Sequence, residues 1–175
     1  MKQGDEVLYG VVEIDEVFIG GRRRSSNRWR DKTPIYGMIQ RGGPAKAFVV
    51  SNVNKMMSWI LLKENVTFGS RLMTDDSSVY QGMHRHYDHN YTVHSKYEFV
   101  RGETHTNSIE GFWGQLKRSL HGTHHSVSKK WLQSYVDEFI FKYNNRSDVF
   151  GSLIVNIVSH DRHPTDHVGG NHPVK

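Results

Sequence analysis

The spacing at which apolar residues recur changes partway along this chain, and that change limits the folds open to it. Up to residue 53 the apolar residues come in short runs rich in β-branched side chains: VLYGVVEIDEVFI (7–19), TPIYGMIQRGG (33–43) and PAKAFVVSNV (44–53). Gly20 and Gly21 end the first run, and Gly42, Gly43 and Pro44 separate the second from the third. Such runs, broken by turn formers, predict three antiparallel strands joined as hairpins. From Asn54 the spacing becomes helical: over 54–66, Met56, Trp59, Ile60 and Lys63 follow at steps of three and four, and Asn54 is placed to cap the helix. SRLMTD (70–75) predicts a strand, SSVYQGMHRH (77–86) a short helix and HNYTVHS (89–95) another strand. Two helices follow, over 105–121 and from 128 to 143. Strands in hairpins, then strands alternating with helices, predict an α/β domain with a mixed sheet covered by helices.

The chain has 175 residues, enough for one domain with a genuine core, set at 1–152. The tail, 153–175, is poor in apolar residues and holds several Gly, Pro and His, so it is expected to be loosely ordered. There is no cysteine, which excludes disulfides and any zinc site that uses thiolate. No apolar run approaches the ~20 residues of a membrane span. MKQGDEVLYG lacks the apolar stretch of a signal peptide, so a soluble, cytoplasmic protein is expected. The formal charge is +5, and GGRRRSSNRWR (20–30) carries Arg22, Arg23, Arg24, Arg28 and Arg30 beside Trp29 with no acid. A polyanion rich in phosphate is the natural partner. The 12 histidines include HRHYDH and HGTHH. Without cysteine or an evident fourth ligand they read as surface or nucleic-acid-facing groups, and His105 as a hydrogen-bonding or surface residue.

The acids narrow the chemistry. Asp15 lies among Val12, Ile14, Val17, Phe18 and Ile19, where a charge is costly unless something compensates it. Asp75 ends an apolar strand, at the edge where open α/β sheets build sites. Capping alone does not require it, since Asp76 or Ser77 would serve as well. In THTNSIEGFWGQLKRSL (104–120), Ile109, Phe112, Trp113, Leu116 and Leu120 form the buried stripe of a helix. Asn107, Glu110, Gly114, Lys117 and His121 form a polar stripe along its border. Asp15, Asp75 and Glu110 thus come from a strand, a strand end and a helix. If they converge, their mutual repulsion is relieved by a hard divalent cation, Mg²⁺ or Mn²⁺.

The strings EIDEVFIGG (13–21), TDDSSVYQGM (74–83), HSKYEFVRGETHTNSIEGFWGQLKRSLHGTHH (94–125) and YVDEFIFKYNNR (135–146) occur in this order. Together, from about Val7 to Ser152, they resemble the catalytic domain of DDE-type insertion-sequence transposases, in the IS fifteen-ninety-five group, also called ISXO-two-like. The resemblance implies a ribonuclease-H-like fold of the retroviral-integrase type, and the order of elements is one that ribonuclease-H-like domains use. It implies Asp15 and Asp75 as the first two metal ligands, with Asn107 (the HTN motif) or Glu110 as the third. Both candidates stay open: 110 − 75 = 35 fits the usual spacing, and a carboxylate holds Mg²⁺ more strongly than an amide.

The resemblance further implies DNA cleavage and strand transfer with two metal ions ~4 Å apart. Lys117 would hold a phosphate, and Arg22, Arg23, Arg24, Arg28 and Arg30 would track the backbone of double-stranded DNA at element ends and target. It implies a bacterial, nucleoid-associated setting and a homo-oligomer at synapsis. Relatives usually carry an N-terminal zinc-ribbon or helix-turn-helix recognition module, and because this sequence starts almost at the first catalytic strand, that module is expected to be missing. A separate polypeptide supplying that module, or a DNA-binding remnant without catalysis, are the readings that follow. Glu138, Lys142 and Arg146 advance by fours and read as an exposed ion-pair ladder.

Overall fold

β1 (Val11–Ile19) is the strand that serves both faces of the sheet. Its alternation sends Val12 and Ile14 into one core and Val17 into the other, leaving Glu13 and Asp15 on the Val17 side. The computed structural model describes residues 3–20, 32–92, 106–123 and 127–147. β2 (Thr33–Gln40) pairs antiparallel with β1, and β3 (Ala45–Val49) antiparallel with β2, so the predicted hairpins are present. The second turn uses Gly42 at φ 70°, in the left-handed region that suits glycine.

After β3 come α1 (Lys55–Asn65) and β4 (Arg71–Asp75). Two 3₁₀ turns follow, Ser78–Tyr80 and Met83–Arg85, then β5 (Asp88–Thr92). β4 runs parallel to β1 and β5 parallel to β4, giving a mixed sheet of order β3-β2-β1-β4-β5. α2 (Asn107–Thr123) and α3 (Leu132–Asn144) close the described domain.

The boundaries differ from expectation where a backbone reason exists. The first strand starts at Val11 rather than residue 7 because Gly10 takes φ 72°; Leu8 instead makes an isolated bridge to Val66. The expected single helix at 77–86 is split by Gly82 at φ 90°. The last helix begins at Leu132 rather than 128, after a turn in which Trp131 N donates to Ser128 O at 3.1 Å. Residues 93–95 of the expected last strand lie outside the described residues.

One core face joins β1–β3 to α2 and α3. Ile109, Phe112, Trp113, Leu116 and Leu120 of α2 and Leu132, Val136 and Ile140 of α3 pack on Val17, Ile35, Ile39, Ala45 and Ala47. The predicted apolar stripe of α2 is the buried one, and each such side chain contributes about 1.5–3 kcal/mol. The other face packs Val12, Ile14, Tyr36 and Met38 against Leu62, Val66, Tyr80 and Tyr87. Asn54 caps α1 as expected, its side chain accepting from Met57 N at 2.9 Å. The side of α1 turned to the sheet is Ser58, Leu62 and Asn65, whereas Met56 and Ile60 stay 72% and 45% exposed. Apolar residues surround this helix, so spacing alone did not select its buried side.

The free edge of β3 is closed by side-chain amides. Asn144 Oδ1 accepts from Ala45 N at 2.8 Å and its Nδ2 donates to Ala45 O at 3.0 Å. Gln133 Oε1 accepts from Val49 N at 2.6 Å. These bonds replace a neighbouring strand and fix α3 along the edge.

The chain divides into units 1–144 and 145–175. Of the second, only the turn at 145–147 is among the described residues. The expected boundary at 152 and the tail 153–175 lie outside the described residues. Among the described residues no helix is long and apolar enough to cross a membrane.

Candidate active site

The β1–β4 ladder pairs Val11 with Arg71 and Glu13 with Met73, an offset of 73 − 13 = 60. Continued two residues past the last pair, the same offset sets Asp75 beside Asp15, 75 − 15 = 60, on the same face by alternation, and the Asp75 charge acts on Asp15. Asp15 is half-buried. Its carboxyl is pushed up to about 7, chiefly by burial and further by the charges of Glu16 and Asp75. Hydrogen bonds from the Glu16 backbone and from the Trp113 indole, Nε1 to Oδ2 at 3.0 Å, pull it partly back. Asp75 Oδ1 accepts from Ser77 N at 3.0 Å, so Asp75 itself turns the chain into the first 3₁₀ turn, while the Ser77 side chain makes no cap bond.

The indole reaches Asp15 because the position facing Asp15 on β2 is Gly37. A Cβ there would lie 2.4 Å from Trp113 Cζ2 and Cη2. One pleat repeat earlier, Glu13 is fully buried and binds the start of α2. Its Oε2 accepts from Ser108 N at 2.8 Å and Ile109 N at 3.0 Å, and its Oε1 from Ser108 Oγ at 3.0 Å and Arg41 Nε at 2.6 Å. The first turn of α2 is thereby fixed about 7 Å along the strand from Asp15.

That turn carries Asn107 and Glu110. Both are exposed, and the Glu110 carboxylate accepts from Thr106 Oγ1 at 3.0 Å. Lys117 and His121 are exposed on the same helix, and Gly114 is half-buried. Asp15 and Asp75 are brought together. Among the described residues no three His, Asp or Glu side chains stand together as a metal-holding group.

Sequence reasoning gave Glu16 no role. It points to the opposite face from Asp15, half-buried, with Tyr80 OH donating to Oε2 at 2.9 Å. Its carboxyl is raised by burial, with the Tyr80 bond opposing and Asp75 adding. Glu13, Gly37, Tyr80 and the polar use of Trp113 were likewise not singled out. The signal for the acids was present in VVEIDEVFI, where three carboxylates sit in one apolar strand.

Beside Asp75 opens a cavity of about 550 Å³, walled by Tyr80, Gln81, Gly82, His84, His89 and Tyr91 among others. The His89 ring is held by Thr74 Oγ1, 2.9 Å from Nε2, and its pKa is lowered by burial and by His84. His86 stands apart from these, against Trp59 at 4.7 Å between ring centroids. Lys142 and Glu138 form the expected exposed pair. Arg22, Arg23, Arg24, Arg28, Arg30, His105, His124 and His125 lie outside the described residues.

The donor chemistry fits a hard divalent cation. Asp15 and Asp75 offer carboxylate oxygens at one level, and Asp15 bears the cost of a half-buried charge. Among the described residues neither is paired with a lysine, arginine or histidine. A bound cation would compensate the buried charge of Asp15 and remove the repulsion from Asp75 that adds to it.

A family model described as ISXO2-like transposase domain matches residues 7–144. A protein of Halobacterium salinarum, an uncharacterized protein in transposable element ISH50, is 29% identical over 75% of this chain and 51% of its own length. The crystal structure of the catalytic core domain of BIV integrase superposes with a TM-score of 0.52 at 10% identity, over 86% of this chain and 95% of that one. A chain of the simian T-cell lymphotropic virus intasome, in complex with PP2A regulatory subunit B56 gamma, gives a TM-score of 0.53 at 9% identity. That match covers 81% of this chain and 50% of the viral one. At these identities the likeness is one of fold, and the predicted ribonuclease-H-like mixed sheet is the one observed. The chain spans about half the length of the halobacterial relative and of the intasome chain.

Proposed function

Because the chain belongs to the ISXO2-like transposase domain family, matched over residues 7–144, we propose that it is a catalytic domain that cuts DNA strands and joins them during movement of an insertion sequence. The observation that carries this reading is the Asp15–Asp75 pair, level on adjacent parallel strands with Asp15 raised by burial and by its acidic neighbours.

In this reading Asp15 and Asp75 hold Mg²⁺ or Mn²⁺, and Glu110 or Asn107 completes the ligand set from the first turn of α2. Bound divalent ions supply activation of the attacking oxygen and charge neutralisation at the leaving oxygen. The chain's own residues do the positioning. Trp113 orients the Asp15 carboxylate through its indole bond, and Glu13 ties the turn bearing Asn107 and Glu110 to the strand bearing Asp15. Lys117, two helical turns beyond Glu110, contacts a DNA phosphate, and Arg22, Arg23, Arg24, Arg28 and Arg30 follow the duplex backbone. These contacts make affinity fall steeply with salt. Synapsis of element ends would bring more than one copy together.

The test is strand joining. With Mg²⁺ or Mn²⁺ present, the protein should join a labelled oligonucleotide 3′ end to plasmid DNA. Salt-dependent DNA binding with no metal-dependent cutting or joining would instead support a non-catalytic remnant, and preferential cutting of RNA in hybrids would support a ribonuclease.

A further inference from the structure

Two cavities on the α1 side of the sheet share a wall. The one beside Asp75 and a second of about 280 Å³ are both bounded by Gln81 and Gly82. The second is lined by Lys55 and Trp59 from α1, by Arg85 at the end of the second 3₁₀ turn and by His86 just after it. Beyond it stands Phe68, 53% exposed yet held by three rings. It lies near-parallel to Trp59, at 16° and 6.2 Å, with His86 at 5.4 Å and Tyr87 edge-on at 5.5 Å. The backbone beneath is fixed by Gly69 N donating to His86 O at 2.9 Å. Its exposed half offers a flat apolar surface of the kind a base stacks on.

Lys55 and Arg85 line this second cavity without an acid, whereas Asp75 and Asp76 line the first and Asp88 borders the cavity that Phe68 lines; among the described residues neither Lys55 nor Arg85 forms an ion pair. Cations beside exposed aromatic rings suit a ligand that offers phosphates and flat bases together. In a duplex the base faces are covered by stacking, so an unpaired strand fits best. Continuity through Gln81 and Gly82 leads such a strand from the carboxylate edge.

We propose that this cleft binds unpaired nucleic acid running from the Asp75 cavity across Gln81 and Gly82, with Lys55 and Arg85 on its phosphates and a base stacked on Phe68. The proposal rests on the reading that Asp15 and Asp75 act on DNA. The other occupant such a face could take is a second copy of this chain, since Met56 and Ile60 are exposed nearby on α1.

The experiment measures anisotropy of labelled duplexes, blunt or with a single-stranded 3′ extension, at low salt without divalent ions. It uses the whole chain, Phe68→Ala, the double variant Lys55→Ala/Arg85→Ala, and Asp75→Asn. The extension should tighten binding, and Phe68→Ala and the double variant should each weaken binding of the extended duplex by about tenfold while sparing the blunt one. The double variant changes only side chains that make no ion pair, so it keeps the test valid if Phe68→Ala folds poorly. Equal binding of both duplexes, or unchanged binding by the double variant, would overturn the proposal. So would Phe68→Ala turning a dimer into a monomer in sedimentation with oligonucleotide affinity unaltered. Asp75→Asn separates the two readings: with Mg²⁺ present it should lose cutting, while it still binds the extended duplex more tightly than the blunt one. If it still cuts DNA, the catalytic reading fails while the cleft is judged by anisotropy alone.

Discussion

Glu13, buried near the start of β1, caps the first turn of α2: its Oε2 accepts from the backbone nitrogen of Ser108 at 2.8 Å. A helix start ordinarily finds its acceptor in its own N-cap residue; here a strand supplies it, and Arg41 balances the charge at 2.6 Å. Glu13→Ala should therefore cost roughly 3–5 kcal/mol, as breaking a buried ion pair does, and urea unfolding measures it. Glu13→Gln, which keeps the shape and an acceptor oxygen, should cost less. A loss from Glu13→Ala no larger than that of an average surface substitution would mean that α2 is held by its apolar stripe alone.

Gly37 is the position that lets Trp113 reach Asp15. In Gly37→Ala the new methyl meets the indole at 2.4 Å, so the ring must move, at an expected cost of about 1–3 kcal/mol for overpacking. Because the loss works through that ring, Trp113→Phe in the same chain should recover part of it. A double-mutant cycle by thermal unfolding reads the coupling; strict additivity would show that the two positions do not meet.

The raised carboxyl of Asp15 sets a pH dependence. With a folded value of about 7 and an unfolded one near the ordinary ~3.9, the native state keeps a proton that the unfolded chain gives up. Metal-free stability should therefore fall as pH rises from about 4 to 7, where the folded chain binds more protons than the unfolded one. Asp15→Asn should flatten that slope. Mg²⁺ or Mn²⁺ should raise Tm more at pH 8 than at pH 5, because protons compete for the same oxygens. A Tm profile of the parent that matches Asp15→Asn between pH 4 and 8 would count against this origin of the shift.

What could be read from the sequence was what local spacing determines. The hairpins, the Asn54 cap, the Asp75 strand end and the buried stripe of α2 follow from turn residues, capping chemistry and period. The split at Gly82 was missed because a glycine inside a helix-like run does not announce its φ. The buried side of α1 was not legible because Met56, Met57, Ile60, Leu61 and Leu62 ring the helix, so tertiary packing chose among them. Within the site, Asp15 stood out as a charge in an apolar strand. Glu13 and Glu16 stood in the same run, but their partners, Ser108 with Arg41 and Tyr80, are distant in sequence. Gly37 gave no local sign, since its need for glycine comes from an indole on another element.

The most direct measurement is nicking of labelled supercoiled DNA in Mg²⁺ and in Mn²⁺ at low salt, comparing the parent chain with Asp15→Asn and Asp75→Asn proteins shown to be folded. Metal-dependent nicking by the parent, lost in both variants, is the predicted result. Nicking that persists in either folded variant, or a folded parent that binds DNA and leaves it intact in both metals, would contradict the assignment of Asp15 and Asp75 as a joint catalytic pair.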